Sequence, residues 1–228
     1  LEESVNRISG LPLMAKPGTR FSYGGISFNV AGRVVEVVSG QPFETFMKQR
    51  LLDPLGTTDI TFRPTPEQGE RISAISKPAP WGGLLTLMRF NANADRTLCL
   101  VGGGLYGTAL DVAKFFQMQL NDGIFGSRRI LSKQAVREMQ FHQTGDANLA
   151  YAPKDDVSSY GLGWIRDRVA PDGAAREVSH AGIFGSDAWI DHDRELLGVL
   201  FIPIPLNHAL PFHRQIRSKV RSLIPDGD

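Results

Sequence analysis

Two residues in this sequence combine a reactive side chain with a setting that would leave it accessible. Tyr23 lies near the end of the turn-rich stretch 11–25 (LPLMAKPGTRFSYGG), where Pro17-Gly18 marks a loop, and it precedes Gly24 and Gly25. A phenol presented in this way could carry a proton if its surroundings lower a pKa that is otherwise about 10. The plainer alternative is a tyrosine that packs its own loop. His180 ends a segment of strand character and precedes Ala181-Gly182-Ile183-Phe184-Gly185, where small residues allow a ligand to approach the backbone. The remaining histidines, His142, His192, His208 and His213, read as structural or solvated. None forms a His-Glu-x-x-His pair, and Cys99 has no companion for a Cys-x-x-Cys pattern. Gly102-Gly103-Gly104-Leu105-Tyr106-Gly107 lacks the Lys-Ser/Thr ending of a phosphate loop and the preceding strand of a dinucleotide fingerprint. Its glycines are read as the means of a turn, and no metal or nucleotide cofactor is expected. Neither a Gly-x-Ser-x-Gly elbow nor a Ser-x-x-Lys is present.

The elements that must hold these residues are legible from periodicity and turn signals. Phe28, Ala31, Val34, Val35 and Val38 recur three and four apart, which predicts a helix over 26–38 with that stripe inward and Ser39-Gly40 as its end. A second helix is predicted from Pro42 to Leu52, with Phe43, Phe46 and Met47 inward and Asp53-Pro54 as the stop. Residues 63–98 read as irregular; the Leu84–Met88 stretch suits a short strand or a helical turn equally. Thr108 and Asp111 suit a helix start like a capping box, with Leu110, Ala113, Phe116 (or Phe115) and Leu120 inward, and a further helix runs from Ser132 to Met139. After Ala150 the period changes. Segments at 160–166, 176–180, 187–191 and 195–202 read as strands joined by Pro171-Asp172-Gly173, Gly182 to Gly185 and Asp191 to Arg194, hence antiparallel. A last helix begins at Ala209 or Pro211 and lays Phe212, Ile216, Val220 and Leu223 on the sheet.

The fold class expected is therefore α+β: a helical cluster followed by an antiparallel sheet with a C-terminal helix packed on it. Its two parts are a mainly helical region at 1–150, carrying the tyrosine loop, and the sheet with its helix at 151–228. At 228 residues, 42% hydrophobic and 21% charged, the composition is that of an ordinary globular protein. A formal charge of +1 with scattered basic residues gives no nucleic-acid surface, and Arg214, Arg217, Lys219 and Arg221 read as the solvated side of the last helix. One cysteine excludes an internal disulfide, and Cys99 is taken as a small buried hydrophobe. No run of about eighteen apolar residues is present to cross a bilayer.

Read together, several segments resemble the serine β-lactamase, penicillin-binding protein and related esterase family. Pro17-Gly18-Thr19-Arg20-Phe21-Ser22-Tyr23 is similar to the family's approach to its Tyr-x-Asn motif, and Val30 to Gly40 to the helix behind it. Leu52-Asp53-Pro54-Leu55-Gly56 resembles its Pro-Leu-Gly turn, Gly102 to Asp111 its glycine-rich lead into a helix, and Tyr160-Gly161-Leu162-Gly163-Trp164 the start of its closing sheet. His180-Ala181-Gly182 falls where the family places Lys-Thr-Gly or His-x-Gly.

The resemblance implies a serine hydrolase that forms an acyl-enzyme on a small-molecule or peptide substrate, an ester or amide. Tyr23 becomes the base and proton shuttle, and the Ile183 N–H beside Gly182 becomes one oxyanion donor. Two departures bear on substrate: Gly25 stands where the motif carries Asn, and Ala181 where lactam-processing relatives carry Thr. His180 replaces the lysine of the stricter lactamase pattern, so esters or peptides are favoured over anionic lactams. The family's Ser-x-x-Lys lies upstream of the tyrosine motif, so the chain is read as part of an incomplete catalytic domain whose nucleophile comes from a missing N-terminal segment or a second polypeptide. The alternative is an inactive member that binds a peptide, cell-wall fragment or partner protein. A periplasmic or otherwise extracytoplasmic location is favoured.

Overall fold

The structure, a computed structural model, describes residues 1–90, 98–149 and 159–224. The part of the expected irregular stretch at 91–97, and the change of period just after Ala150, lie outside the described residues. Helix α1 (Glu2–Ser9) opens the chain with Glu2 and Glu3 in its first turn, where negative charge suits the helix dipole. Strand β1 (Arg20–Phe21) follows a turn in which Pro17 precedes Gly18 at φ +80°, the left-handed position that glycine takes without strain. Helix α2 (Gly25–Ser39) ends at Gly40, whose φ of +69° and whose N–H, donating to the Glu36 carbonyl, stop it where expected. Its inward face is not the expected one. Asn29 and Gly32 are the buried positions, while Val34 and Val38 are 57% and 82% exposed. The reason is close approach at Gly32, where a Cβ would lie 3.1 Å from Leu1 and 3.5 Å from Phe43.

Helix α3 (Phe43–Met47) begins after Pro42, continues as a π turn over Lys48–Leu52 and buries Phe43 and Leu52. Helix α4 (Pro66–Glu70) starts from Thr65, whose hydroxyl and the Gln68 side chain form a reciprocal capping box. The proline and glycine signals beyond it make a hairpin rather than an irregular stretch. Strands β2 (Ile75–Pro78) and β3 (Leu84–Met88) pair antiparallel across a turn that uses Gly82 and Gly83 at φ +90° and +79°.

Helix α5 (Ala109–Leu120) is capped by the Thr108 hydroxyl, which accepts the Asp111 amide. Asp111 does not return to the cap: its carboxylate accepts the amides of Thr58 and Asp59 at 2.9 and 2.7 Å and pairs with Lys114. Nor does Leu110 point inward; Phe116, Met118 and Gln119 do. The short strands β4 (Ile124–Phe125) and β5 (Arg128–Arg129) lead to α6 (Lys133–Gln140), capped by Ser132, and β6 (Asn148–Leu149) pairs parallel with β1.

The C-terminal region forms a four-stranded antiparallel sheet, β7 (Ile165–Val169), β8 (Ala175–Ala181), β9 (Ser186–Asp191) and β10 (Leu196–Phe201), in the order β10-β9-β8-β7. The first strand begins later than expected because Tyr160 to Gly163 turns back: Tyr160 bridges Ile165 and Gly163 has φ +80°. Alternation divides the faces. Val178, Ala188 and Ile190 meet Phe116 of α5 and Trp164 in the core, with the Phe116 and Trp164 rings edge to face at 5.1 Å. That core joins the helical region to the sheet.

Glu177, Ser179, Asp187, Trp189 and Asp191 occupy the other face, beneath α7 (Leu206–Leu223). Helix α7 starts earlier than expected and carries Pro211 within it. The carbonyl that Pro211 leaves without a donor, that of Asn207, belongs to an exposed residue where water can replace the missing bond. Its inward stripe is polar rather than apolar: Ala209, His213, Arg217 and Arg221 face the sheet, while Phe212 and Leu223 are exposed. Arg217 and Arg221 are thus not on a solvated side. Arg217 lies 5.0 Å over the Trp189 ring, which in turn fits because Gly198 opposite has no Cβ to strike it. Among the described residues, no helix is long and apolar enough to cross a membrane.

Candidate active site

The tyrosine loop and the end of β8 meet at one place. The Tyr23 hydroxyl lies 3.3 Å from Nε2 of His180, across 157 positions of sequence. Each side of this contact has a local cause. The loop is anchored in front by the pairing of β1 with β6, and behind by the start of α2. There the backbones of Gly25 and Gly102 touch: a Cβ on Gly102 would lie 2.6 Å from the Gly25 Cα. Asn29, buried one turn further along, accepts the Val101 amide at 3.1 Å and ties the glycine run to the same helix. The run is therefore glycine-rich for close approach as well as for turning; none of Gly102, Gly103 and Gly104 has a positive φ. Gly25 itself is the first residue of α2, where it contributes backbone and no amide side chain.

His180 shares the inner face of the sheet with Val178 and sits in an aromatic setting. Tyr160 meets it edge to face at 6.2 Å and Tyr23 lies tilted at 5.7 Å, while Phe28 flanks Tyr23 at 6.4 Å. Burial disfavours the charged ring and holds its pKa below the ordinary value, against a hydrogen bond to the Ala181 backbone and the more distant charge of Asp187. A neutral imidazole has one donor and one acceptor nitrogen, so the Tyr23–His180 contact can carry the hydrogen on either partner. This is the property a proton relay needs.

The β8–β9 turn follows directly. Gly182 donates to the Ser186 carbonyl at 2.8 Å, and Gly185 donates back to the Gly182 carbonyl at 2.9 Å. A Cβ on Gly182 would meet the Ser186 hydroxyl, which would have to turn away to admit it. Ile183 is 72% exposed; its carbonyl accepts the Leu206 amide, and its own N–H has no acceptor among the described residues. Ala181 sits apart from the others. It pairs with Asp187 and lines a cavity of about 340 Å³ beneath α7, on the sheet face opposite His180.

Phe184, next to Ile183, borders a cavity of about 590 Å³ whose wall also holds Phe90, Leu100, Gly103, Leu105 and Tyr106. Phe90 bridges the wall, with Phe184 at 5.3 Å and Tyr106 at 5.9 Å. Neither this cavity nor the role of Tyr160 was visible in the sequence. Tyr160 stood out only within its Gly-Leu-Gly-Trp run, and no local pattern says which ring it will meet. The one thiol is not a rival nucleophile: burial pushes Cys99 up to about 11, so it is not a thiolate near neutral pH. Among the described residues, no group of three or more His, Cys, Asp or Glu could hold a metal ion.

The depressed pKa of His180 carries a sign. An unfolded chain would bind a proton near pH 6.5 that the folded chain resists, so folding stability falls as pH drops below about 6.5 and through the lower folded value. His192, bonded to Gln140 at 2.7 Å and likewise lowered by burial, adds to the same slope. Urea titrations from neutral to acidic pH should therefore show a loss of stability that His180→Gln and His192→Gln each reduce. An unchanged slope in both variants would contradict the burial of these rings.

Comparison with known proteins places this geometry. Lovastatin esterase of Penicillium rubens is 35% identical over 220 residues, covering 86% of this chain and 53% of that protein. A solved structure from Bacteroides dorei superposes with a TM-score of 0.71 at 27% identity, covering 96% of this chain and 63% of that one. Simvastatin synthase from Aspergillus terreus shares the fold, with a TM-score of 0.72 at 20% identity over 96% of this chain and 62% of its own. The chain spans about half the length, or less, of the curated relatives it matches. With the beta-lactamase family model matching residues 2–208, across the tyrosine loop, the glycine run and the His-Ala-Gly strand end, the chain belongs to the beta-lactamase family.

Proposed function

We propose that this chain supplies the tyrosine and oxyanion-donor side of a site that hydrolyses esters through an acyl-enzyme, with a Ser-x-x-Lys segment contributed from outside these 228 residues. The observation that carries the reading is the Tyr23–His180 contact at 3.3 Å beside the turn that exposes the Ile183 amide. In acylation, Tyr23, held as phenolate by the lysine, takes the serine proton as the serine oxygen bonds to the substrate carbonyl carbon. The phenol then returns that proton to the leaving oxygen as the ester C–O bond breaks, and water repeats the cycle to release the acid and restore the serine. Ile183 donates to the oxyanion together with the serine's own amide.

The substrate side follows from charge and shape. A neutral His180 places no fixed positive charge beside Tyr23, so an anionic lactam gains little there. The neighbouring aromatic cavity suits an apolar group of a size that drug-like ligands fill. The 35% identity to a lovastatin esterase supports the same choice. Residues 1–150 and 151–228 are read as two parts of one catalytic domain that the outside segment completes. The outer stripe of α2, formed by Ile26, Val30, Val34 and Val37, is exposed and offers that segment an apolar surface. An extracytoplasmic location belongs to the same reading.

The test is kcat/KM on a longer version that carries Ser-x-x-Lys. p-Nitrophenyl butyrate is expected to exceed a chromogenic cephalosporin by about ten-fold to a hundred-fold, the effect of one lost hydrogen bond to a charged group. A cephalosporin that is the better substrate would overturn the ester assignment. No acyl adduct on any serine of the longer version would favour a binding protein instead.

A further inference from the structure

We propose that His213 of α7 is a positioning residue: acting through the Gly185 carbonyl, it fixes the turn that presents the Ile183 amide. The proposal rests on the reading of that amide as an oxyanion donor and adds the device that aims it. His213 is 3% exposed, and its Nε2 lies 3.1 Å from the Gly185 oxygen. A carbonyl oxygen only accepts, so the hydrogen sits on Nε2. Its Nδ1 faces Asp187 at 3.8 Å, and Asp187 is itself held by Arg217 through bonds of 2.9 and 2.5 Å. Nδ1 makes no hydrogen bond among the described residues, so the buried ring is held through Nε2 and the packing around it.

What Gly185 does in the turn gives this contact its consequence. Its N–H donates to the Gly182 carbonyl at 2.9 Å, and that carbonyl shares one rigid peptide plane with the Ile183 N–H. Holding Gly185 therefore holds the direction of the Ile183 donor. Gly185 has φ +83°, and a Cβ there would strike the carbonyls of Ile202 and Ile204, so the residue is seated against the segment leading into α7. Ile202 donates to the same Gly185 oxygen at 3.0 Å, and the first amide of α7, that of Leu206, donates to the Ile183 carbonyl at 2.9 Å. First-turn amides have no acceptor within their own helix, which makes this one available. Helix α7 grips the turn at two points, and His213 is the side chain among them.

The test replaces His213 by Phe, which fills the space without a donor, and by Gln, whose amide can reach the same carbonyl. In this chain, His213→Phe is expected to speed hydrogen exchange of the Gly185 amide by about ten-fold, and His213→Gln to restore it. In the longer version with Ser-x-x-Lys, the same Phe variant is expected to lower kcat for p-nitrophenyl butyrate by about ten-fold at unchanged KM, again rescued by Gln. Arg221→Met loosens α7 from Glu177 two turns further along; it should lower Tm and leave both readouts at the parent value. Exchange and kcat unmoved by His213→Phe, or moved equally by Arg221→Met, overturn the proposal. Faster exchange rescued by Gln but with kcat unchanged confirms the clamp and overturns instead the reading of Ile183 as the oxyanion donor.

Discussion

Tyr23→Phe, made in a longer version that carries Ser-x-x-Lys, is expected to lower kcat for an activated ester by about 10²- to 10⁴-fold with KM close to the parent value. Phenylalanine keeps the ring, and with it the contacts to Phe28, Tyr160 and the face of His180. What goes is the hydroxyl that lies 3.3 Å from His180 Nε2. The substrate should still bind, because the apolar cavity is built from other residues. The barrier to proton transfer rises for both acylation and deacylation, so the loss appears in kcat rather than in KM. An unchanged far-ultraviolet spectrum and Tm separate this from misfolding. A fall in kcat of less than about ten-fold would show that Tyr23 is only a packing residue, because general acid–base groups contribute more than that.

Arg217→Met should cost about 3–5 kcal/mol of folding stability, a large part of the roughly 5–15 kcal/mol a domain possesses. Beneath α7, Glu177 and Asp187 are 0% and 2% exposed, so their charges cannot turn to water. Arg217 binds Asp187 through two nitrogens and lies 3.6 Å from Glu177 and 3.5 Å from Asp167. Methionine keeps much of the volume over Trp189 but strands Asp187 beside only the imidazole of His213. Asp167 is already pushed toward its neutral form by burial, with Arg217 opposing that shift, so losing the guanidinium drives it further in the same direction. Lysine should rescue little, since a point charge cannot reproduce the two-nitrogen grip on a carboxylate. Guanidinium titrations at neutral pH would measure the difference. A loss below about 1 kcal/mol would mean that Arg217 behaves as a surface ion pair.

The order and kind of most elements follow from residues that are close neighbours along the chain. Helices α5 and α6 begin where Thr108 and Ser132 offer hydroxyls to free amides, α2 ends at a glycine able to take positive φ, and the sheet follows turns written in Gly and Pro. These are local effects, each set by residues within a few positions. The stretch around Leu84–Met88 was ambiguous for the opposite reason: five residues do not distinguish strand from helical turn until a partner strand is present.

Which faces are buried, and which distant groups meet, depends on packing between elements. An apolar stripe predicts the inward side of a helix when the surface opposite is apolar, and for α2 and α7 it is not the deciding term. At α2 the missing side chain of Gly32 admits Leu1, Phe43 and Val101. At α7 the surface opposite is a row of carboxylates on β8 and β9, so the arginines turn in and Phe212 turns out. The same holds for the site. Tyr23 and His180 could be singled out one at a time from their settings, but their contact across 157 positions needed the sheet, and the hold of His213 on Gly185 needed α7 laid along it. Local propensity acts over a turn or two of chain, whereas a site depends on groups brought together by packing, and packing is decided by whatever lies on the other side.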